Sequence, residues 1–334
     1  SEISEAQADV APPPCHEPSA PGPYAVGFDD LMLPDPQREG DLDARIHYPA
    51  LTAGAQADPD KSGAPWPLVI LSHGFLLTPA TFDALAAHLA SHGFVVLGTK
   101  HRDAIDHMAA GLKTACEAIP KAEQWSRLGE GFRMLLEPNH AHRRVGDVST
   151  LIDDAVALHE GEGALAGMFD LDRVGVAGHS FGAFTGLVAS GADLHAGVIA
   201  THCLEEPSVA EILKMGIMPF LTCQVLAVTD AEKRTDHITI RDPRVKALFD
   251  MAGPVEVLWG EAFEGFASVE VPLMGVFTTT DEAVPYETGP AAVFDALPPP
   301  AYLLAFAGGN HSNFGDTDFA HAKAVGADVP EDCG

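Results

Sequence analysis

The chain has 334 residues, 46% of them hydrophobic and 20% charged, which is enough to bury the core of one large domain or two small ones. Its 48 acidic side chains against 19 basic ones give a formal net charge of −29. A surface of that sign repels nucleic acid and anionic membranes and argues against both as partners, and no run of about 20 apolar residues is present to span a bilayer.

Residues 1–23, SEISEAQADVAPPPCHEPSAPGP, are rich in Pro, Ala, Ser and Glu and are expected to form a flexible segment outside the fold. The N-terminus lacks the basic-then-apolar pattern of a signal peptide. A chain that starts on Ser with a leader of this composition suggests a processed, secreted or periplasmic protein, with a cytoplasmic location as the alternative. Residues 24–334 are expected to make a single domain.

Eight apolar runs bounded by Gly or Pro follow in order: YAVGFDDLML, DLDARIHYP, PLVILSHG, GFVVLGTK, RVGVAGHS, RVKALFDM, VPLMGVFTT and AYLLAFAGG. The second alternates apolar and polar residues and predicts an edge or antiparallel strand. The middle and later runs are continuously apolar, the pattern of parallel strands buried on both faces. Between them lie helical patterns. TPATFDALAAHLASHG opens on Thr78-Pro79 and stops at Gly93, and RVGDVSTLIDDAVALHEG and FGAFTGLVASG keep the same period. Strands alternating with helices predict a mostly parallel, eight-stranded, doubly wound α/β sheet with helices on both faces.

Two stretches, about residues 102–143 and 190–242, are too long for plain crossovers and are expected to be lid-like insertions lining a substrate. Five cysteines (Cys15, Cys116, Cys203, Cys223 and Cys333) show no zinc-type spacing. In an oxidising compartment Cys203 could pair with Cys223 and Cys15 with Cys333; in a reducing one all five would be thiols.

The stretch RVGVAGHSFGAF, residues 173–184, places Ser180 between Gly178 and Gly182 where an apolar strand meets an apolar helix. Gly-x-Ser-x-Gly in that context is a nucleophile elbow, a turn that lifts a hydroxyl clear of the sheet's C-terminal edge. A serine nucleophile needs a base, and His311 in FAGGNHSNFGD follows the last predicted strand, with Gly308 and Gly309 to bend its loop. The base needs an orienting carboxylate, for which two residues compete. Asp281 follows the penultimate strand in VPLMGVFTTTDEAVP, and Asp250 ends the strand before it in RVKALFDMAGP. Asp281, at the commoner location, is favoured. Tetrahedral chemistry further needs oxyanion donors, for which the backbone amides of Phe181 and Phe75 are the candidates, with His73 expected to orient the loop that carries Phe75.

PLVILSHGF, LASHGFVVLGTKHRD, RVGVAGHSFGAF, DPRVKALFDMAGP and NHSNFGD together resemble α/β-hydrolases of the platelet-activating-factor acetylhydrolase and predicted dienelactone hydrolase group, and more distantly cutinase-like lipases. The resemblance covers roughly residues 22–320 and implies the α/β-hydrolase fold, with Ser180 as nucleophile and His311 as base. For the acid it divides: the acetylhydrolase branch points to Asp250, the cutinase-like branch to Asp281 through the Asp-x-x-x-Pro of DEAVP. Dienelactone hydrolases use cysteine where this chain has serine.

The expected activity is cleavage of a neutral, small or lipid-like carboxylic ester through an acyl-enzyme, without metal or organic cofactor. A phospholipid acetyl-ester hydrolase or a polyester hydrolase are same-class alternatives. An inert binding module on the same fold is the alternative of a different class.

Overall fold

The computed structural model describes residues 20–36, 40–104, 140–195, 240–253, 259, 263–287 and 289–315. The first nineteen residues, most of both long excursions and all five cysteines lie outside the described residues, so the insertions and the cysteine pairings are not placed.

Among the described residues nine strands form one sheet: β1 (Ala25–Pro34), β2 (Asp41–Ala50), β3 (Gly54–Ala55), β4 (Trp66–Ser72), β5 (Val95–Thr99), β6 (Phe169–His179), β7 (Val245–Met251), β8 (Leu273–Thr278) and β9 (Ala301–Phe306). They lie in the order β3-β1-β2-β5-β4-β6-β7-β8-β9. β2 is antiparallel to both β1 and β5, and from β5 through β9 every pairing is parallel. The alternating second run is thus an interior antiparallel strand. The ninth strand, β3, adds to the eight expected and is two residues long, too short to carry any periodicity.

Among the described residues three longer helices flank the sheet: α1 (Asp83–Ser91), α2 (His140–Glu160) and α3 (Phe181–Ala189). Alternate side chains of β5 show the two layers. Val95 and Leu97 pack with Val148, Leu151 and Ile152 of α2 and with Phe184 and Leu187 of α3, whereas Val96 packs with Phe82 and Ala86 on the α1 side. All nine residues of α3 are buried, which fits a helix seated on the sheet centre.

β9 departs from the expectation of strands buried on both faces. It is the terminal strand of the sheet, and Tyr302, Leu304 and Phe306 are 62%, 41% and 52% exposed. An apolar run reports composition; its place at the sheet margin is set by topology.

The parallel strands all run toward one edge. Ser72, Ser180, Asp250, Asp281 and His311 stand at or just beyond the C-terminal ends of β4, β6, β7, β8 and β9, the edge where ligands collect in open α/β sheets.

Candidate active site

β6 ends at His179 and α3 begins at Phe181, so the chain reverses around a single residue. Ser180 has φ 53° and ψ −118°, a conformation that is strained for any side chain with a Cβ. The flanking glycines are required by space. A Cβ on Gly178 would lie 2.3 Å from the Gly182 carbonyl oxygen, and one on Gly182 would lie 1.9 Å from that of Ser72. The Ser180 N–H donates to the carbonyl of Met251 at 2.9 Å, which ties the turn to the end of β7.

Three side chains from three loops meet above this turn. The Asp281 carboxyl is buried; its Oδ1 accepts the N–H groups of Ala283 and Val284 at 2.8 Å each, and its Oδ2 lies 2.8 Å from His311 Nδ1. Burial opposes ionisation of Asp281, but the hydrogen bonds from His311, Val284 and Ala283 outweigh it and hold the carboxyl below the ordinary carboxylate range. An ionised Asp281 fixes the proton on Nδ1, leaving Nε2 to accept from the Ser180 hydroxyl at 2.7 Å.

The loop that carries His311 is bound to the loop that carries Asp281. The Gly308 N–H donates to Thr279 Oγ1 at 3.0 Å, and Thr280 Oγ1 donates to the Gly309 carbonyl. Gly308 and Gly309 have φ of 83° and 84°, so the bend itself calls for glycine. Asn310 and Asn313 close the tip: the Asn310 N–H donates to Asn313 Oδ1 at 2.6 Å, and the Ser312 N–H to Asn310 Oδ1 at 2.9 Å.

His179 occupies the variable position of the elbow, where nothing in the sequence marks it as functional. Its Nε2–H donates to the His311 carbonyl at 2.9 Å, and the two rings lie 5.0 Å apart. Desolvation, reinforced by His311, lowers its pKa to about 4, so the ring is neutral.

Asp250 takes a different position. Its carboxyl accepts the Gly253 N–H at 2.7 Å and borders a small space lined by Leu187, Phe266, Phe277 and Leu303. Burial pushes its pKa up to about 7. The structure therefore brings Ser180, His311 and Asp281 together and leaves Asp250 turned toward the apolar layer under α3.

The loop after β4 faces the elbow from the other side. The Phe75 and Phe181 rings lie 6.4 Å apart edge to face, and among the described residues neither Phe75 N–H nor Phe181 N–H has a backbone acceptor. His73 donates from Nδ1 to the Gly74 carbonyl at 2.7 Å. Behind this loop lie Asp103 and Arg144, a fully buried ion pair for which no motif in the sequence offered a signal. Among the described residues no group of three His, Cys, Asp or Glu side chains is placed to hold a metal ion, and no helix is long and apolar enough to cross a membrane.

Residues 55–200 match the family model of platelet-activating factor acetylhydrolase, isoform II, and the architecture is that of an α/β-hydrolase. The chain is similar to platelet-activating factor acetylhydrolase of Cavia porcellus, 26% identical over 222 residues, covering 50% of each chain. It is also similar to the enzymes of that name from Canis lupus familiaris (27% over 159 residues, 40% of this chain and 34% of the other) and Bos taurus (28% over 149 residues, 37% and 32%). The matched stretches thus span half or less of these relatives' length.

Proposed function

We propose that this α/β-hydrolase, similar across its centre to platelet-activating factor acetylhydrolases, cleaves carboxylic esters through an acyl-enzyme on Ser180. The observation that carries the reading is the unbroken hydrogen-bond chain from Asp281 through His311 to the Ser180 hydroxyl, set on a strained elbow.

In the first step the Ser180 Oγ attacks the acyl carbon while His311 Nε2 takes its proton and passes it to the departing alcohol. In the second, His311 draws a proton from water, which attacks the acyl-serine, and hands that proton to the departing Ser180 Oγ as the free acid is released. Asp281, rather than Asp250, is the acid of this reading, because it holds Nδ1–H and stabilises the imidazolium that forms. The Phe75 and Phe181 amides are the proposed donors to the oxyanion, each worth a few kcal/mol when fixed in a dry site.

Neutral acyl esters are the proposed substrate class. Similarity to acetylhydrolases favours a second, narrower reading, a short acyl group such as the acetyl ester of a phospholipid. Turnover of p-nitrophenyl esters from acetate to palmitate tests both. Activity that disappears with Ser180→Ala supports the ester hydrolase, and a profile falling steeply beyond the shortest acyl chains supports the narrower reading. An intact wild type that neither turns over these esters nor reacts with a fluorophosphonate points instead to an inert binding module.

A further inference from the structure

We infer that Arg144 is a positioning residue for the oxyanion site, holding the carbonyl side of the loop His73-Gly74-Phe75 so that the Phe75 N–H stays aimed at the acyl oxygen. The inference rests on the ester-hydrolase reading of Ser180 and concerns a residue that touches neither substrate nor the reacting atoms.

Arg144 is 1% exposed and Asp103 fully buried, an arrangement that is costly unless every donor of the guanidinium is used. The fork is shared between two tasks. Nε and one terminal nitrogen bind the two Asp103 oxygens, while the other terminal nitrogen donates to the His73 carbonyl at 2.7 Å. The nitrogen shared with Asp103 also reaches the Gly74 carbonyl at 3.4 Å. The guanidinium carbon lies 4.3 Å from the centre of the Phe181 ring, so one side chain packs on the residue that carries one proposed oxyanion donor and reaches the Gly74 carbonyl of the peptide that carries the other. Asp103 ionises despite its burial because the Arg144 charge and hydrogen bonds hold its carboxyl well below the usual range.

Peptide planarity converts this grip into direction. In a trans peptide the C=O and the following N–H point opposite ways. Drawing the Gly74 carbonyl into the protein therefore turns the Phe75 N–H outward. That carbonyl is held three times: by Arg144, by His73 Nδ1 at 2.7 Å and by the Leu77 N–H at 3.2 Å. His73 cannot reverse its tautomer, because its Nε2 accepts the His101 N–H at 3.0 Å. His101 is fixed in turn between Ser72 Oγ at 2.9 Å and Asp147 Oδ2 at 2.8 Å. Asp147 and Arg144 sit three residues apart on α2, so one helix end braces the loop at two points. A permanent cation behind two peptide carbonyls also polarises those peptides in the sense that strengthens their N–H groups toward an anion.

The test compares wild type with Arg144→Lys, which keeps a charge against Asp103 but loses the fork, and with the uncharged pair Asp103→Asn/Arg144→Met. Each is assayed for kcat and KM on a p-nitrophenyl ester and for inhibition by an alkyl boronic acid, whose Ser180 adduct places an oxygen in the oxyanion site; thermal melting checks the fold. The expected result for Arg144→Lys is a kcat lowered on the order of 10- to 100-fold, an almost unchanged KM, and boronate affinity lowered in step with kcat. Cooperatively folded variants with wild-type kcat overturn the inference and leave the ester-hydrolase reading intact. A kcat loss that boronate affinity does not follow, or that only tracks a falling melting temperature, overturns it as well. A wild type with neither ester turnover nor fluorophosphonate labelling removes the functional reading, and the positioning role with it.

Discussion

His179 donates its Nε2–H to the backbone carbonyl of His311 at 2.9 Å, so the residue preceding the serine fixes the chain that carries the histidine facing that serine. The contact spans 132 residues and links the elbow to the last loop without passing through the side chains of the hydrogen-bond chain itself. His179→Phe keeps a ring against Phe82 and Phe314 but leaves the His311 carbonyl unpaired. The expected cost is about 1–3 kcal/mol of stability and a kcat lowered roughly tenfold through misplacement of His311. Urea unfolding and steady-state kinetics on one preparation check both; a wild-type kcat would remove His179 from the positioning of His311.

The strain at Ser180 can be separated from its hydroxyl. Ser180→Ala and Ser180→Gly both lose the hydrogen bond to His311, but only glycine adopts φ 53°, ψ −118° without strain. Ser180→Gly is expected to be more stable than Ser180→Ala by about 1 kcal/mol, with both inactive. Equal unfolding midpoints would mean that the turn stores no strain.

Space at the elbow is tighter still. Gly182→Ala would drive a methyl group to 1.9 Å from the Ser72 carbonyl oxygen, a backbone atom that cannot swing aside. A loss of at least about 2 kcal/mol is expected, with activity falling as the end of β4 and the start of α3 are forced apart. Denaturant midpoints measure it.

The two aspartates should part company under the same substitution. Asp281→Asn replaces the acceptor of His311 Nδ1–H by a group that can present N–H instead, and is expected to lower kcat on the order of 10³- to 10⁴-fold. Asp250→Asn keeps an oxygen for the Gly253 N–H and is expected to leave kcat near wild type. The reverse ranking would transfer the acid's role to Asp250.

Asp250 has its own signature in stability. Its folded pKa, raised by burial to about 7, exceeds the unfolded value of 3.8, so the folded chain binds the extra proton between these limits. The contribution is fully present below pH 3.8 and is lost as pH rises through about 7. Asp250→Asn removes this loss and is expected to be the more stable form at pH 8, by an amount on the order of a few kcal/mol, with little difference near pH 4. Unfolding free energies that differ equally at both pH values would contradict it.

Eight of the nine strands were legible because each is an apolar run closed by a turn residue, and the elbow because strand, Gly-x-Ser-x-Gly and helix are contiguous. The acid was harder. Asp250 lies inside β7, where alternation along the strand decides which layer it faces, whereas Asp281 lies three residues past β8 in a loop free to turn back to His311. Composition does not distinguish those two settings. Arg144 was out of reach for another reason: its partners Asp103, His73 and Gly74 are 41, 71 and 70 residues away, and an Arg143-Arg144 pair in the first turns of an amphipathic helix reads as surface residues.

Asp103 and Arg144 also bracket residues 105–139, so the ion pair works as a clasp across the base of that stretch. The pair joins the loop after β5 to the first turns of α2, so a pull on either end meets a buried charge pair before it reaches β4, β5 or the serine. The frame of the chemistry is in this way insulated from forces arriving along the chain.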